Sequence, residues 1–324
     1  MHTSRRRFIL QSLAGLGCLA RAGKLSARQL DASIIGMNTY FPGWGLYRTI
    51  EALQELGFQT VEMQPMGAIE PRPGVPPGFQ FDRLSAEEKQ KLKKAVEGFR
   101  HVSTHIPWTG LNYFSPFDNI AEFSARQVDI ALEASAFLGA EVVNIHAQRA
   151  AHLSQKQSWP TMIRRFRRWG DFAKASGFRL AIETGYPQSV RDFVRFIEEI
   201  NHSHVGATID VGHQKQYAEL LARVKPEEKG TPAGIKAYND INHELIDRLG
   251  SKLFHFHVHD IEPDTWAEHK PLIHGFIDYP RLIKKLRKTN YQGLLIFEIG
   301  GATAQLPAIL RDSKQKLEAH LAKN

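Results

Sequence analysis

Short runs rich in aliphatic and β-branched residues alternate along the chain with segments whose apolar positions recur at three and four. The short runs are SIIGMNTY (33–40), TVEMQPM (60–66), HVSTHIPW (101–108), EVVNIHAQ (141–148), RLAIETGY (179–186), VGATIDVGH (205–213), KLFHFHVHD (252–260) and GLLIFEIG (293–300). Each has the length and composition of a buried strand. Between them, LYRTIEALQELGF (46–58), IAEFSARQVDIALEASAFLGA (120–140) and YPRLIKKLRKTNY (279–291) carry the helical period. Gly57, Gly98, Gly139 and Gly177 stand just before the next strand, where a left-handed cap would release the chain. Eight strand-then-helix units predict an α/β fold, a (β/α)₈ barrel of TIM type, as one domain over residues 29–324. A doubly wound open sheet is the competing arrangement, but no glycine-rich dinucleotide turn follows the first strand. The Gly- and Pro-rich loops at 67–85 and 214–234 suit lids over a site better than linkers between domains.

Composition agrees with a folded domain: of 324 residues, 42% are hydrophobic and 23% charged. The formal net charge of +8 is unevenly placed. Residues 1–28 hold Arg5, Arg6, Arg7, Arg21, Lys24 and Arg28 with no acid, so the remainder has 36 basic against 34 acidic residues. A near-neutral domain has no basic footprint for nucleic acid. In the first segment, SRRRFIL (4–10) sets arginines before a weakly apolar run from Phe8 to Ala20, and Ala20-Arg21-Ala22 offers a small-residue cleavage site. This resembles a twin-arginine export signal and predicts passage through the corresponding translocase to the periplasm or beyond. The single cysteine, Cys18, falls inside it, so a mature chain would hold no disulfide. A homo-oligomer is compatible with this sequence.

The stretch LFHFHVHDI (253–261) places His255, His257 and His259 two residues apart. On a strand those three rings share one face, while Phe254, Phe256 and Val258 share the other. In a barrel the residues near the carboxyl ends of the strands reach the mouth, where barrel enzymes work. Strands three to eight each bring a possible metal ligand there: His105, His146, Glu183, Asp210 with His213, His257 and Glu298. Glu183, Asp210 and Glu298 could not all stay ionised in a low-dielectric mouth without a cation among them. Glu183, Asp210, His257 and Glu298 form the preferred ligand set because strands five to eight are consecutive around the barrel. Three carboxylates and one imidazole fit Mn²⁺ or Zn²⁺, with Mg²⁺ or Co²⁺ also admissible.

AIETG (181–185), TIDVGH (208–213), HVHD (257–260), HKPLIHGFIDYPRLIKKL (269–286) and YQGLLIFEIGG (291–301) together resemble the xylose isomerase-like barrel superfamily. That group includes sugar and sugar-phosphate isomerases, D-tagatose 3-epimerase, inositol-pathway enzymes and endonuclease IV. The resemblance implies that Glu183, Asp210, His257 and Glu298 hold the ion and that His213 contacts substrate or a further metal. In the epimerases an arginine following the seventh-strand histidine commonly holds substrate; His269 takes that place here. Enzymes like endonuclease IV use three zinc ions, with extra ligands matching His105, His146, His213 and His269. They also need an aspartate two residues before the last of these, where this chain has Ala267, leaving Asp264 or Glu268 as substitutes.

The expected activity is isomerisation or epimerisation of a free sugar or keto-sugar, or a related elimination, with Glu183 and Glu298 as acid and base. His105, His146, His213, His269, Trp108 and His259 are candidate substrate contacts, His259 from a position toward the rim. Asp260 is expected to turn outward and to anchor the loop or orient a ligand imidazole, and Tyr40, Trp44, Trp108, Tyr186 and Trp266 offer rings on which a sugar could stack. A metal-dependent phosphodiesterase is the alternative, and a non-catalytic sugar-binding barrel is a third reading that the paired glutamates argue against.

Overall fold

The computed structural model describes residues 30–107, 109–301 and 304–323. The proposed export segment with Cys18, and Trp108, lie outside them. Eight parallel strands close into a barrel in sequence order. They are β1 (Ile35–Asn38), β2 (Thr60–Met63), β3 (His101–Ile106), β4 (Val142–His146), β5 (Arg179–Glu183), β6 (Val205–Asp210), β7 (Leu253–Val258) and β8 (Leu294–Phe297). The helices around them are α1 (Leu46–Glu55), α2 (Ala86–Val96), α3 (Asp118–Leu138), α4 (Gln155–Ser176), α5 (Val190–Ile200), the single turn α6 (Ala218–Leu221), α7 (Pro232–Leu249), α8 (Tyr279–Lys288) and α9 (Leu306–Ala322). This is a TIM barrel of one domain.

Local chemistry sets several boundaries. Ser85 and Ser154 open α2 and α4 with capping boxes, each serine accepting from the N–H three residues on while Glu88 or Gln157 reaches back. Gly139 and Gly177 end α3 and α4 in the left-handed conformation (φ 74° and 82°). Gly57 does the same after α1, whereas Gly98 does not adopt a positive φ. Its lack of a side chain instead makes room for Gln54, whose Nε2 a Cβ there would meet at 2.5 Å. The 214–234 segment is also more ordered than a flap: it contains α6, and Tyr217 anchors it with no exposure.

The main core lies between the outer faces of the strands and the helices. The run Val190, Phe193, Val194, Phe196, Ile197 and Ile200 on α5 shows the pattern, all buried against the sheet. Inside the barrel, Val142, Ala181 and Phe254 form a separate small apolar floor. Strict alternation would turn Phe254 outward with Phe256, but the pairing of β6 with β7 slips between Ala207 and Thr208. The slip is a bulge that gives Phe254 and His255 the same side. Phe254 fits there because β6 carries Gly206 opposite it, where a Cβ would stand 2.6 Å from the ring and 2.3 Å from the Lys252 carbonyl.

Gly206→Ala is therefore expected to destabilise the fold by about 1–3 kcal/mol through overpacking. Thermal denaturation of Gly206→Ala, alone and combined with Phe254→Leu, checks this. The smaller residue at 254 should recover part of the loss, and purely additive effects would count against the floor contact.

Candidate metal centre at the carboxyl end of the barrel

Above the apolar floor the barrel interior is polar. Glu62, Ser103, Asn144, Thr208 and His255 are all fully buried there. Above them stand Asn38, His105, His146, Glu183, Asp210, His257 and Glu298. Glu298 follows β8 directly, and its N–H still donates to the Val258 carbonyl (3.1 Å), which fixes its height.

Ligand atoms of Glu183, Asp210, His257 and Glu298 all lie within 4.8 Å of one another. His257 Nδ1 is 3.4 Å from Glu183 Oε1, 3.6 Å from Glu298 Oε1 and 3.9 Å from Asp210 Oδ2. With bonds of about 2.0–2.2 Å, neighbouring ligands of one cation stand about 3–3.5 Å apart, close to this spacing. Among the described residues, Glu183 Oε1 and His257 Nδ1 are buried with no hydrogen-bond partner, although Glu183 Oε2 is well held. That oxygen accepts from Asn144 Nδ2 and lies 3.1 Å from His146 Nε2 and 3.3 Å from His105 Nε2. Orphaned lone pairs aimed at one point fit a divalent cation, so the residues present match the group that the sequence implies.

Electrostatics carries the same message. Burial alone would raise the pKa of the carboxyls, yet His146 and His257 hold Glu183 well below its usual range. His257 and His105 likewise overcome burial at Glu298 and bring it to about 2, and His213 and His259 depress Asp210. Burial would also strip protons from the imidazoles, but Glu183 and Glu298 carry His105 up to about 10. Asp210 and Glu183 carry His213 up to about 9. Burial prevails at His146, which falls to about 4, with His105 and His213 adding repulsion against the pull of Glu183. The cluster of carboxylates recruits whatever positive charge is at hand.

Two cavities open above the cluster. One of about 870 Å³ is bordered by Asn38, Tyr40, Trp44, His105 and Glu298, with prolines of the 67–85 loop as its outer wall. The other, of about 1130 Å³, is bordered by His146, Arg149, Tyr186, His213 and Lys215. His269 borders both. It has a positive φ of 62°, and its Nδ1 donates to the Glu298 carbonyl (2.8 Å), leaving Nε2 toward the cleft.

Several placements depart from expectation. His259 does not face the cleft from the rim. It is fully buried, with Nε2 3.0 Å from Asp210 Oδ1 and Nδ1 3.1 Å from the Asp260 carbonyl, so it braces Asp210. Trp266 is also buried, packed edge-on against Tyr238 at 5.1 Å between centroids, and offers no stacking face. Asp260 behaves as expected: it is buried on the side of the strand opposite His259 and accepts from the N–H groups of Ile261 (2.9 Å) and Ile277 (3.0 Å), anchoring the loop after β7. Sequence reasoning passed over Glu62, Asn144 and Asn38, whose Nδ2 donates to Glu298 Oε1 (3.2 Å). The signal was available in TVEM: a glutamate at an inward position of a strand whose neighbours are otherwise apolar.

Solved structures share this architecture. A D-tagatose 3-epimerase-like protein superposes with a TM-score of 0.63 at 16% identity, covering 89% of this chain and 99% of that one. The 3-keto-D-glucoside 4-epimerase of E. coli gives 0.61 at 18% identity (88% and 98% covered). A xylose isomerase-like barrel protein from Mycobacterium smegmatis, in complex with magnesium, gives 0.62 at 18% identity (89% and 97% covered). At these identities the likeness shows the fold. No curated protein matches the chain. The family model described as xylose isomerase-like TIM barrel, however, matches residues 50–320, and the chain belongs to that family.

Proposed function

We propose that the protein is a divalent-metal-dependent isomerase or epimerase of a sugar or keto-sugar. The observation that carries this reading is the convergence of three buried carboxylates and His257 Nδ1 from four consecutive strand ends. Two of the structural neighbours are named for sugar epimerisation, which supports the substrate class. Glu183, Asp210, His257 and Glu298 would hold the cation. When bound, a divalent cation supplies Lewis acidity that lowers the barrier to enolising an adjacent keto-sugar.

The chain's own residues do the remaining work. Glu183 and Glu298 stand on strands three places apart in a ring of eight, across the mouth from each other. One removes the proton from the carbon beside the carbonyl, and the other returns a proton to the opposite face or to the neighbouring carbon. Asn144 and Asn38 keep the two carboxylates from rotating out of line. The Nε2 of His269 is placed to bond a sugar hydroxyl, because its other nitrogen is committed to the Glu298 carbonyl. His105, His146 and His213 border the cavities on either side, and Tyr40, Trp44 and Tyr186 give the sugar rings to lie against. Elimination from a keto-sugar begins with the same proton transfer.

One observation favours a second reading, metal-dependent phosphodiester hydrolysis: ligand atoms of His105, His146 and Glu183 also lie within 4.8 Å of one another. Against it, no candidate ligand group among the described residues includes His213 or His269.

Metal analysis of cytoplasmically folded protein should find one divalent ion per chain. EDTA should abolish turnover of a keto-sugar panel, and Mn²⁺ should restore it. Two or three ions with phosphodiesterase activity would transfer the conclusion to the second reading, and protein that takes up no ion would end both. Glu183→Gln and Glu298→Gln should each lower kcat by about 10²–10⁴-fold and abolish solvent-deuterium incorporation at the reacting carbon, followed by ¹H NMR. Exchange at the native rate in both variants refutes the acid and base assignment. His269→Ala should act chiefly on KM, raising it about tenfold as a lost hydrogen bond to the sugar does.

A further inference from the structure

Beneath the ligand ring lies a fourth carboxylate with no part in the proton transfers above. Glu62 projects inward from β2 and is fully buried. Its Oε2 accepts from Ser103 Oγ (3.1 Å) and pairs with His255 Nε2 (2.8 Å). Its Oε1 stands 3.2 Å from His257 Nε2. Neither atom has a hydrogen bond within the described residues, so the two face each other as a close ion-pair contact, with His105 Nδ1 farther off, 4.0 Å from the same oxygen.

His257 is thus a ring with two different ends. Nδ1 faces the oxygens of Glu183, Glu298 and Asp210, and Nε2 faces Glu62 alone. A neutral imidazole has one N–H and one lone pair, so a ring that binds a cation through Nδ1 must carry its proton on Nε2. A carboxylate opposite Nε2 stabilises that tautomer and makes Nδ1 a stronger donor.

We propose that Glu62 is a positioning residue for the cation: it locks His257 as the Nε2-protonated tautomer and is itself fixed by Ser103 and His255. This rests on the metal-dependent reading of the site and extends it to a residue one tier below. The arrangement also gives a reason for His255. A buried carboxylate with one oxygen committed to His257 needs donors on the other, and His255 with Ser103 supplies two. A glutamate serving only to satisfy its neighbours would be content with those two donors. The Oε1 directed at a ligand imidazole is what separates the roles.

The test compares Zn²⁺ affinity, by competition with a chromophoric chelator, in the wild type, Glu62→Gln and Ser103→Ala. Glu62→Gln presents an amide that can donate to Nε2 and so drives the proton to Nδ1, where it blocks the cation. Zn²⁺ binding should weaken about 10–100-fold, with a melting curve for metal-free protein that remains cooperative. Ser103→Ala removes one support from Glu62 without touching His257 and should give a smaller loss. A Glu62→Gln protein that folds and binds Zn²⁺ within about threefold of the wild type, short of that loss, overturns the proposal. A direct measurement needs no variant: in Zn²⁺-loaded wild type, long-range ¹H–¹⁵N correlation should show His257 protonated at Nε2 and coordinated at Nδ1. The reverse pattern overturns the proposal even if Glu62→Gln does not fold. Wild-type protein that binds no Zn²⁺, Mn²⁺ or Mg²⁺ removes the metal-dependent reading as well, whereas equal affinity of wild type and Glu62→Gln removes only the role of Glu62.

Discussion

Closing eight strands into a ring forces the carboxylates at their ends to face one another. Glu183 and Asp210 are fully buried and Glu298 only reaches the edge of the cavity above, so the three cannot separate, and Glu62 lies directly below. Like charges in such a volume repel strongly unless opposite charge is placed between them. The rest of the interior reads as a response to that constraint. Imidazoles on β3, β4 and β7 surround the acids, Asn38 and Asn144 donate from the flanks, and His259 braces Asp210 from behind. A divalent cation at the shared focus of the orphaned atoms would satisfy in one place what the imidazoles otherwise do piecemeal.

This use of the interior is open to the fold because its stability lies elsewhere. Barrel interiors of this type are commonly filled by layers of branched apolar side chains. Here Val142, Ala181 and Phe254 make a small apolar patch at the bottom, and the tiers above carry Glu62, Ser103, Asn144, Thr208 and His255. Folding is driven instead by the shell between strands and helices, where residues such as Ile182, Phe193 and Leu245 are fully buried. Outward-facing strand positions hold the molecule together, and inward-facing ones are free for chemistry. The bulge between β6 and β7 belongs to the same economy of space, since it swings Phe254 beneath the polar tiers and seals them from below.

The division explains how much was legible in the sequence. The barrel was, because the outer shell writes itself as alternating strand and helix periods. So was the convergence of Glu183, Asp210, His257 and Glu298, because an acid or imidazole at the end of an apolar strand has little other reason to be there. Glu62 and Asn144 escaped notice because they sit in the middle of their strands, where a single polar residue looks like a solvent-facing position. Only closure of the ring reveals that their side faces other polar groups. His259 and Trp266 were misplaced for a different reason. Both depend on the path of the loop after β7, where Trp266 and His269 take left-handed conformations that neither residue type announces.

That loop also shapes the cleft. His269 stands where the two cavities meet, carried on a backbone conformation that is unfavourable for a histidine and tied to the Glu298 carbonyl and to His259. Strain of this kind persists only where surrounding contacts over-determine it. Here they do: Asp260 clamps the base of the loop, Gly300 donates to the His269 carbonyl (2.9 Å), and His259 couples the loop to Asp210. The ring above the site and the carboxylates within it are thus parts of one hydrogen-bonded unit. The hydrogen bonds from Asp210 through His259 to the His269 N–H, and from His269 Nδ1 to the Glu298 carbonyl, tie the residues proposed to hold a cation to the residue proposed to meet a sugar hydroxyl.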